Sequence, residues 1–466
     1  MIKEPKIYII IPPSPWLIDD KSCYLLGSLW VTAYLESLNY NIDVIDLASL
    51  TEQEWAIPNN GDIYGITCLI PHDKTVRKIT KIIRENNPEA LIVLGGPHST
   101  TLPEYLLNTT DANICVKGEG ELTMADIVKY KIAFQNNRDI PYEQINGIFY
   151  RDTGVSGVYG MVKHTKPREL IKNLDDLPLP AFHKIDMASY SANVNHKELT
   201  LKGRNAMFSR GCCYQCSFCT SPFIWQNKLR FHSLNYAKEM IEILLYKYKA
   251  QGLYFVDDNI TTPYKRCLDF AELMKPYNVS WRAFARTNDM DRKRLEAMKD
   301  AGCCELDIGV ESFDDNILKI NNKNVTGQQQ IDALLLCKEI GINPKCCLIV
   351  GLPGETDDSI ENTLRGIEKT KCMYSVGTFI PLPQSDIAAN PEKYKYEIDE
   401  SIGYNMYMST KSDDGKGVII QKRNKDRVAK WLDKVMQAID DTSLVYNQAR
   451  FKRKIERYDK DNKVCC

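Results

Sequence analysis

The sequence predicts an α/β protein: a doubly wound open sheet, then a partial (β/α)6 barrel, then a small, mostly helical C-terminal region. Three observations carry this. Short apolar runs alternate with segments of helical spacing from about residue 5 to about residue 385, the pattern of parallel sheets joined by crossover helices. Glycines fall where the early runs end, and polar residues where the later ones end. Finally, "FSRGCCYQCSFCTSP" (208–222) puts four cysteines into eight positions directly behind one short strand.

In the first half, "KIYIIIPP" (6–13), "LLGSLWVTAYLESLN" (25–39), "NIDVIDL" (41–47), "DIYGITCLI" (62–70), "TVRKITKIIREN" (75–86), "ALIVLGGPHSTTLPEYLL" (90–107) and "ANICVKGEGELTMADIV" (112–128) alternate strand and helix. Such sheets bind ligands at the carboxyl ends of their strands. Gly95, Gly96, Gly118 and Gly120 lie there and let a bulky ligand approach the backbone. No G-x-G-x-x-G follows the first strand and no G-x-x-x-x-G-K-[ST] occurs, which argues against a dinucleotide or a nucleoside triphosphate. Residues 145–170 read as a hairpin and 173–186 as a proline-rich connector. The expected domains are 1–140, a connector over 141–200, the barrel over 201–385, and a helical region over 386–466.

The barrel strands are expected in "AMFSR" (206–210), "GLYFVDDNIT" (252–261, strand then polar loop), "VSWRAFART" (279–287), "CELDIGVES" (304–312), "NPKCCLIVGLPGET" (343–356) and "MYSVGTFIPLP" (373–383). A helix follows each of the first five, with Ser233 as the N-cap of the first and Pro276 as the stop of the second. Chemistry in such folds collects at the strand C-termini, where Asp257, Asp258, Arg286, Glu311, Ser312 and the turn Gly351–Leu352–Pro353–Gly354 lie. Each has a plainer reading: the Asp pair as an N-cap, Arg286 as a core-edge salt bridge, the glycine turn as backbone geometry. Glu311 closes an apolar strand, where an unpaired carboxylate is costly; a ribose hydroxyl or a ligand ammonium would satisfy it. Tyr254 and Tyr264, near a strand end, are candidate substrate contacts or proton donors. Residues 425–460 read as helix, either over the barrel mouth or as a solvated face.

The 16 cysteines do not read as disulfides. The apolar run at the start is too short for a signal core, and no stretch approaches the ~20 apolar residues of a membrane span. Sixty basic against 61 acidic residues give a net charge of −1, so neither a nucleic acid nor a membrane surface is indicated. A reducing, cytoplasmic location fits best. Cys212, Cys216 and Cys219 make C-x3-C-x2-C. Zinc sites usually need a fourth ligand, and neither a second cysteine pair nor a histidine occurs nearby before His232. Three thiolates on one tight loop suit a [4Fe–4S] cluster with one iron open. Cys213, Cys303, Cys304, Cys346 and Cys347 are expected to be buried small hydrophobes.

With Phe218 before the last cysteine, this loop resembles the signature of the radical S-adenosylmethionine superfamily. "ELDIGVES" and "GLPGET" resemble motifs of that superfamily's fourth and fifth strands. "GGPHST" followed by "KGEGE" resembles the Rossmann-like cobalamin-binding domain that precedes the barrel in one large class of these enzymes. The resemblance spans about residues 5 to 385. It implies three cofactors: a [4Fe–4S] cluster on Cys212, Cys216 and Cys219, S-adenosylmethionine, and cobalamin. It directs Phe218, Asp257, Asp258, Glu311, Ser312 and Gly351 toward the cluster and S-adenosylmethionine. Ser28, Thr67, Leu69, Gly95, Gly96, His98, Gly118 and Gly120 are directed toward cobalamin, and Tyr254 and Arg286 take the catalytic roles. The chain departs from better-known cobalamin domains in lacking D-x-H-x-x-G: "PPSPWLIDDKSCYLLG" (12–27) holds no histidine. His98 then approaches the corrin from below, meets the nucleotide tail, or faces solvent.

The implied activity is methylation of an unactivated carbon, on a polypeptide side chain or a small molecule, through methylcobalamin and a 5′-deoxyadenosyl radical. An electron donor such as flavodoxin or ferredoxin is implied with it. Two alternatives stay open: rearrangement or cyclisation without methyl transfer, and a non-catalytic iron–sulfur or corrinoid sensor.

Overall fold

The structure, a computed structural model, describes residues 4–14, 17, 19–135, 137–151, 160–196, 199–398 and 425–442. The chain divides into two compact units, Met1–Ser191 with Phe223–Ile243, and Ala192–Pro222 with Leu244–Cys466.

The sheet of the first unit contains β1 (Ile7–Ile11), β2 (Ile42–Asp46), β3 (Ile63–Thr67), β4 (Leu91–Gly95), β5 (Ile114–Val116), β6 (Ile148–Arg151) and β7 (Val162–His164). Their order is β2-β1-β3-β4-β5-β6-β7. The first five run parallel, and β6 and β7 add antiparallel at the edge. The hairpin placed in a connector by the sequence reading therefore extends this sheet; its tip lies outside the described residues. All five residues of β1 are apolar and buried, as a strand covered on both faces requires. One cover is α1 (Leu26–Ser37) with α5 (Glu121–Phe134), packed through Leu35, Met124, Ile127 and Val128. The other is α2 (Asp73–Asn86) with α4 (Pro103–Thr109), packed through Val76, Ile79, Ile83, Leu106 and Leu107; the short α3 (Pro97–Thr101) turns the chain off β4. Strand order reverses between β1 and β3, and such sheets open a crevice there, at the strand C-termini.

Phe223–Ile243 follows the cysteine loop yet packs with this first unit. Arg230 of the two-residue strand β12 (Arg230–Phe231) donates to both Glu119 oxygens at 3.0–3.1 Å and to the Ile171 carbonyl at 2.6 Å. His232 stacks between Trp30 and Tyr236. Ser233 caps α7 (Leu234–Glu242) by accepting the Tyr236 N–H, as its position in the sequence predicts.

The second unit opens with a hairpin, β8 (Val194–His196) and β9 (Leu199–Leu201). Six parallel strands follow: β10 (Gly203–Ala206), β13 (Gly252–Phe255), β14 (Ser280–Ala285), β15 (Cys303–Glu311), β16 (Asn343–Val350) and β17 (Met373–Thr378), adjacent in that order. A short β11 (Ser209–Arg210) leads into the cysteine loop. Helices α8 (Tyr264–Met274), α9 (Arg292–Asp300), α11 (Gly327–Ile340) and α12 (Asp357–Thr370) alternate with the strands, and shorter pieces lie at α6 (Ser221–Ile224), α10 (Asp315–Ile320) and α13 (Asp386–Ala389). Asp291, Thr326 and Thr356 cap α9, α11 and α12. β10 sits earlier than "AMFSR" predicts. Its pairing sets Gly203 beside Gly252, where a Cβ on either would come within 3.0 Å of Val194 of the hairpin.

Along β14, Trp281, Ala283 and Ala285 are buried, Trp281 against Phe255 and Phe270. Arg282, Phe284 and Arg286 therefore take the opposite, concave face. Arg282 pairs with Glu305 at 3.2 Å and Asp307 at 3.4 Å, and Lys345 reaches Asp307 at 2.8 Å. With Asn195 of the hairpin 3.5 Å from Glu305, this ionic layer floors the barrel at its N-terminal end. One layer higher, Phe284 remains 36% exposed. α14 (Lys425–Thr442) buries Val428, Trp431, Leu432, Val435 and Ile439, and Trp431 donates to Asp357 of α12 at 2.6 Å. The rest of the helix expected to residue 460 lies outside the described residues. Among those described, no helix is long and apolar enough to cross a membrane.

Candidate functional site

The four cysteines of the loop are free thiols. Burial pushes Cys212 up to about 11 and Cys219 up to about 12, so without a metal both are protonated. The Cys219 N–H donates to the Cys216 carbonyl at 3.0 Å, closing a tight turn. Cys216 is buried, and Arg286 Nη1 donates to its sulfur at 2.8 Å. Among the described residues no three such side chains could hold one metal ion; a cubane cluster instead distributes its cysteine ligands over different irons. Three free thiols on one turn, one already receiving a guanidinium, fit that donor set. Cys213 is exposed, not buried as expected, because it points off the loop beside Thr262. Cys347 is half-buried on the concave face, whereas Cys303, Cys304 and Cys346 are buried.

Arg286 does more than pair. Its guanidinium lies 3.8 Å from the centroid of the Tyr214 ring, and Tyr214 donates to Asp289 at 2.8 Å. Asn259 donates to the other Asp289 oxygen at 2.9 Å. Arg286 thus holds the cysteine loop through both a sulfur and a ring. Asp257 is buried and accepts from the Phe208 N–H at 2.9 Å and the Ser209 hydroxyl at 2.5 Å. Desolvation pushes its pKa up to about 6, and its second oxygen has no partner among the described residues. Its neighbour Asp258 is exposed and accepts from Ser221 at 2.5 Å. Phe218 is partly buried and packs against the cluster of Ile317, Leu352, Phe379, Ile387 and Tyr396.

Glu311 is nearly buried, has a left-handed φ of +66°, and pairs with Lys323 at 3.1 Å. Gly351, with φ +93°, donates its N–H to Glu355 at 2.5 Å. Two expected residues are placed otherwise. Ser312 is buried with its hydroxyl between Thr363 and the Asp314 N–H, so it fastens the turn after β15 rather than facing the strand-end opening. Tyr254 lies in register with Arg282, whose guanidinium covers its ring at 3.8 Å. That is four residues below Arg286, roughly 13 Å along a strand, so Tyr254 belongs to the barrel floor. Tyr264, the other tyrosine considered, is the first residue of α8 and is exposed.

Among the described residues, a Cβ on Gly95 at the end of β4, on Gly118 just past β5, or on Gly27 in the first turn of α1 would meet nothing within 4 Å. Glycines bordering open space in this way form the kind of cradle a corrin and its tail require. Ser28 Oγ is buried with no partner among the described residues, and Thr67 and Leu69 are half-exposed after β3. Gly96 serves differently: at φ +94° it lies where a Cβ would come within 3.0 Å of the Cys68 carbonyl, so it is needed by the turn. Gly120 likewise packs on Val31. His98 is fully buried, 3.3 Å from Asp73 and packed on Tyr105. The histidine near the crevice is His72. It is buried between the Ser14 hydroxyl and the Leu69 N–H, each 3.1 Å away, and burial lowers its pKa to about 3. Spacing in the sequence reveals neither His72 nor Lys323, since each is joined to its partners only by the fold.

The radical SAM superfamily profile matches residues 207–367, and the B12 binding domain profile residues 21–128. An uncharacterised methyltransferase of Pyrococcus horikoshii, PH0819, is 30% identical over 385 residues, spanning 80% of each chain. The anaerobic magnesium-protoporphyrin IX monomethyl ester cyclase of Rubrivivax gelatinosus is 26% identical over 80% of this chain and 65% of its own. The fold is shared with the cobalamin-dependent S-adenosylmethionine radical enzyme OxsB, at a TM-score of 0.65 and 19% identity over 84% of this chain and 56% of that one. The chain therefore belongs to the radical SAM enzymes that carry an N-terminal B12-binding domain, whose cofactors are a [4Fe–4S] cluster, S-adenosylmethionine and cobalamin.

Proposed function

We propose that this enzyme transfers a methyl group to an unactivated carbon of a polypeptide side chain or a small molecule. The observation that carries the reading is the joint presence of the B12-binding domain and the C-x3-C-x2-C barrel in a chain 30% identical to a protein named a methyltransferase. When bound, the cofactors supply a carbon-centred radical and a methyl group, which a carbon without an acidic proton needs because no tuned base can activate it.

The chain's own residues bind and orient. Cys212, Cys216 and Cys219 hold the cluster, and the Arg286 N–H at 2.8 Å stabilises the Cys216 sulfur as an anion. Arg286 is thus a positioning group rather than a proton donor. Asp258, Glu311 and the turn at Gly351 present two carboxylates and a main-chain edge to S-adenosylmethionine, and Asp257 braces the strand that leads into the cysteine loop. Gly95 and Gly118, with Ser28, Thr67 and Leu69, border the space for cobalamin. The ionic floor closes the barrel from below, so a substrate reaches Phe284 only from the strand C-terminal side. A reduced flavodoxin or ferredoxin supplies the electron.

The relatives named as cyclases favour a second reading, rearrangement without methyl transfer. Both are tested by supplying cells, with and without the gene, with methionine labelled in its methyl group and comparing small-molecule and peptide masses. A labelled methyl gained only with the gene supports transfer. A product lacking the label supports rearrangement.

A further inference from the structure

The loop Asn321–Lys323 has no counterpart among the motifs read from the sequence, yet it touches both halves of the barrel site. Its main chain and one side chain hold the cysteine loop. The Asn321 carbonyl accepts the Ser217 N–H at 3.1 Å, Asn322 donates to the Gln215 carbonyl at 2.6 Å, and the Lys323 carbonyl accepts from Arg286 at 2.6 Å. Asn322 has a φ of +52°, a conformation asparagine tolerates better than most residues. The Lys323 side chain, 3% exposed, pairs with Glu311, whose side chain is 11% exposed, at 3.1 Å, with its ammonium 5.9 Å from the centroid of the Phe218 ring.

The Glu311 backbone needs that partner. A non-glycine residue in the left-handed region persists where its surroundings over-determine it. Here the surroundings are a bulge between Gly309 and Glu311 and the space at Gly309. A Cβ on Gly309 would lie 2.5 Å from Glu311 Oε1 and 3.2 Å from Lys323 Nζ. The missing side chain of one residue therefore makes room for the ion pair of two others.

We propose that Lys323 is the positioning residue for Glu311: its ammonium holds the carboxylate at a fixed place relative to the cysteine loop, through a loop whose main chain grips that same loop. This rests on the reading of Glu311 as a ligand of S-adenosylmethionine. Removing one member of a buried pair leaves the other charge uncompensated, so without Lys323 the carboxylate turns away from its place.

The test measures equilibrium binding of S-adenosylmethionine to anaerobically reconstituted, cluster-loaded protein, with iron content measured on the same samples. Lys323→Met keeps its iron, because its hydrogen bond from Arg286 is to the main chain and its side chain meets the cysteine loop only over the Phe218 ring, which a methionine still covers, and it binds S-adenosylmethionine about tenfold more weakly. Gly309→Ala moves affinity the same way. Glu311→Gln weakens binding too, and adding Lys323→Met to it causes no further loss. That last variant carries neither buried charge, so it reports even if Lys323→Met alone fails to fold. Wild-type affinity in Lys323→Met, loss of its iron, or further weakening in the double variant would each overturn the role of Lys323. Wild-type affinity in Glu311→Gln would instead remove Glu311 from the site, and the proposal with it.

Discussion

At the turn after β16, Glu355 accepts the main-chain N–H groups of Gly351 and Leu352, and desolvation pushes its pKa from 4.5 up to about 8. Between those values the folded chain keeps a proton that the unfolded chain has released. Stability from this group therefore falls as pH rises from about 4.5 to about 8 and is flat above. Glu355→Gln keeps an acceptor for the N–H groups and removes the titration. Its melting temperature should drop less than wild type between pH 5 and pH 8; equal drops would show that Glu355 is not the source. The two neighbouring glycines after β4 make a second test at this scale. Gly95→Leu has open space for its side chain and should fold normally while losing cobalamin. Gly96→Ala forces a side chain into φ +94° against the Cys68 carbonyl and should lower the melting temperature instead. A Gly95→Leu protein that still retains cobalamin would place the cofactor elsewhere.

His72 ties the loop after β1 to the loop after β3, the two strands that flank the reversal in strand order. Since its Nδ1 accepts the Leu69 N–H, its Nε2 carries the proton and donates to Ser14. His72→Ala should free both loops and weaken cobalamin binding about tenfold, read as retained cobalt after gel filtration. His72→Asn, which keeps an acceptor near Nδ1, should retain more; equal retention in both variants would contradict the bridge. Apolar runs and helix caps made most elements legible: β13, β14, β16 and β17 fall within the predicted runs, β15 begins one residue before its run, and Ser233 caps α7. β10 was displaced because its position depends on Gly203 meeting Val194, a contact with a hairpin that no local pattern announces. Among the candidate site residues, Cys212, Cys216 and Cys219 stand out in the sequence because they share a tight loop, and Asp258 and Glu311 because they close apolar runs. Chain position near a strand end does not tell which way a side chain turns, so nothing in the sequence signals that Tyr254 lies under Arg282 or that His98 is buried against Asp73 and Tyr105. Lys323 and Tyr214 were missed because their partners, Glu311 and Arg286, are supplied by other strands.

Across the whole molecule, the chain divides into two units that each bring their own donors: thiols at the top of one sheet, glycine-bordered space at the top of the other. Their loads should therefore be separable. The most direct measurement is iron and cobalamin content after anaerobic reconstitution of the full chain, for wild type, Cys216→Ala and Gly95→Leu. The account predicts about four irons and about one cobalamin per wild-type chain. It predicts loss of iron with cobalamin retained in Cys216→Ala, and loss of cobalamin with iron retained in Gly95→Leu. A wild-type protein that binds no cobalamin, or a Cys216→Ala protein that keeps its full iron, would contradict it.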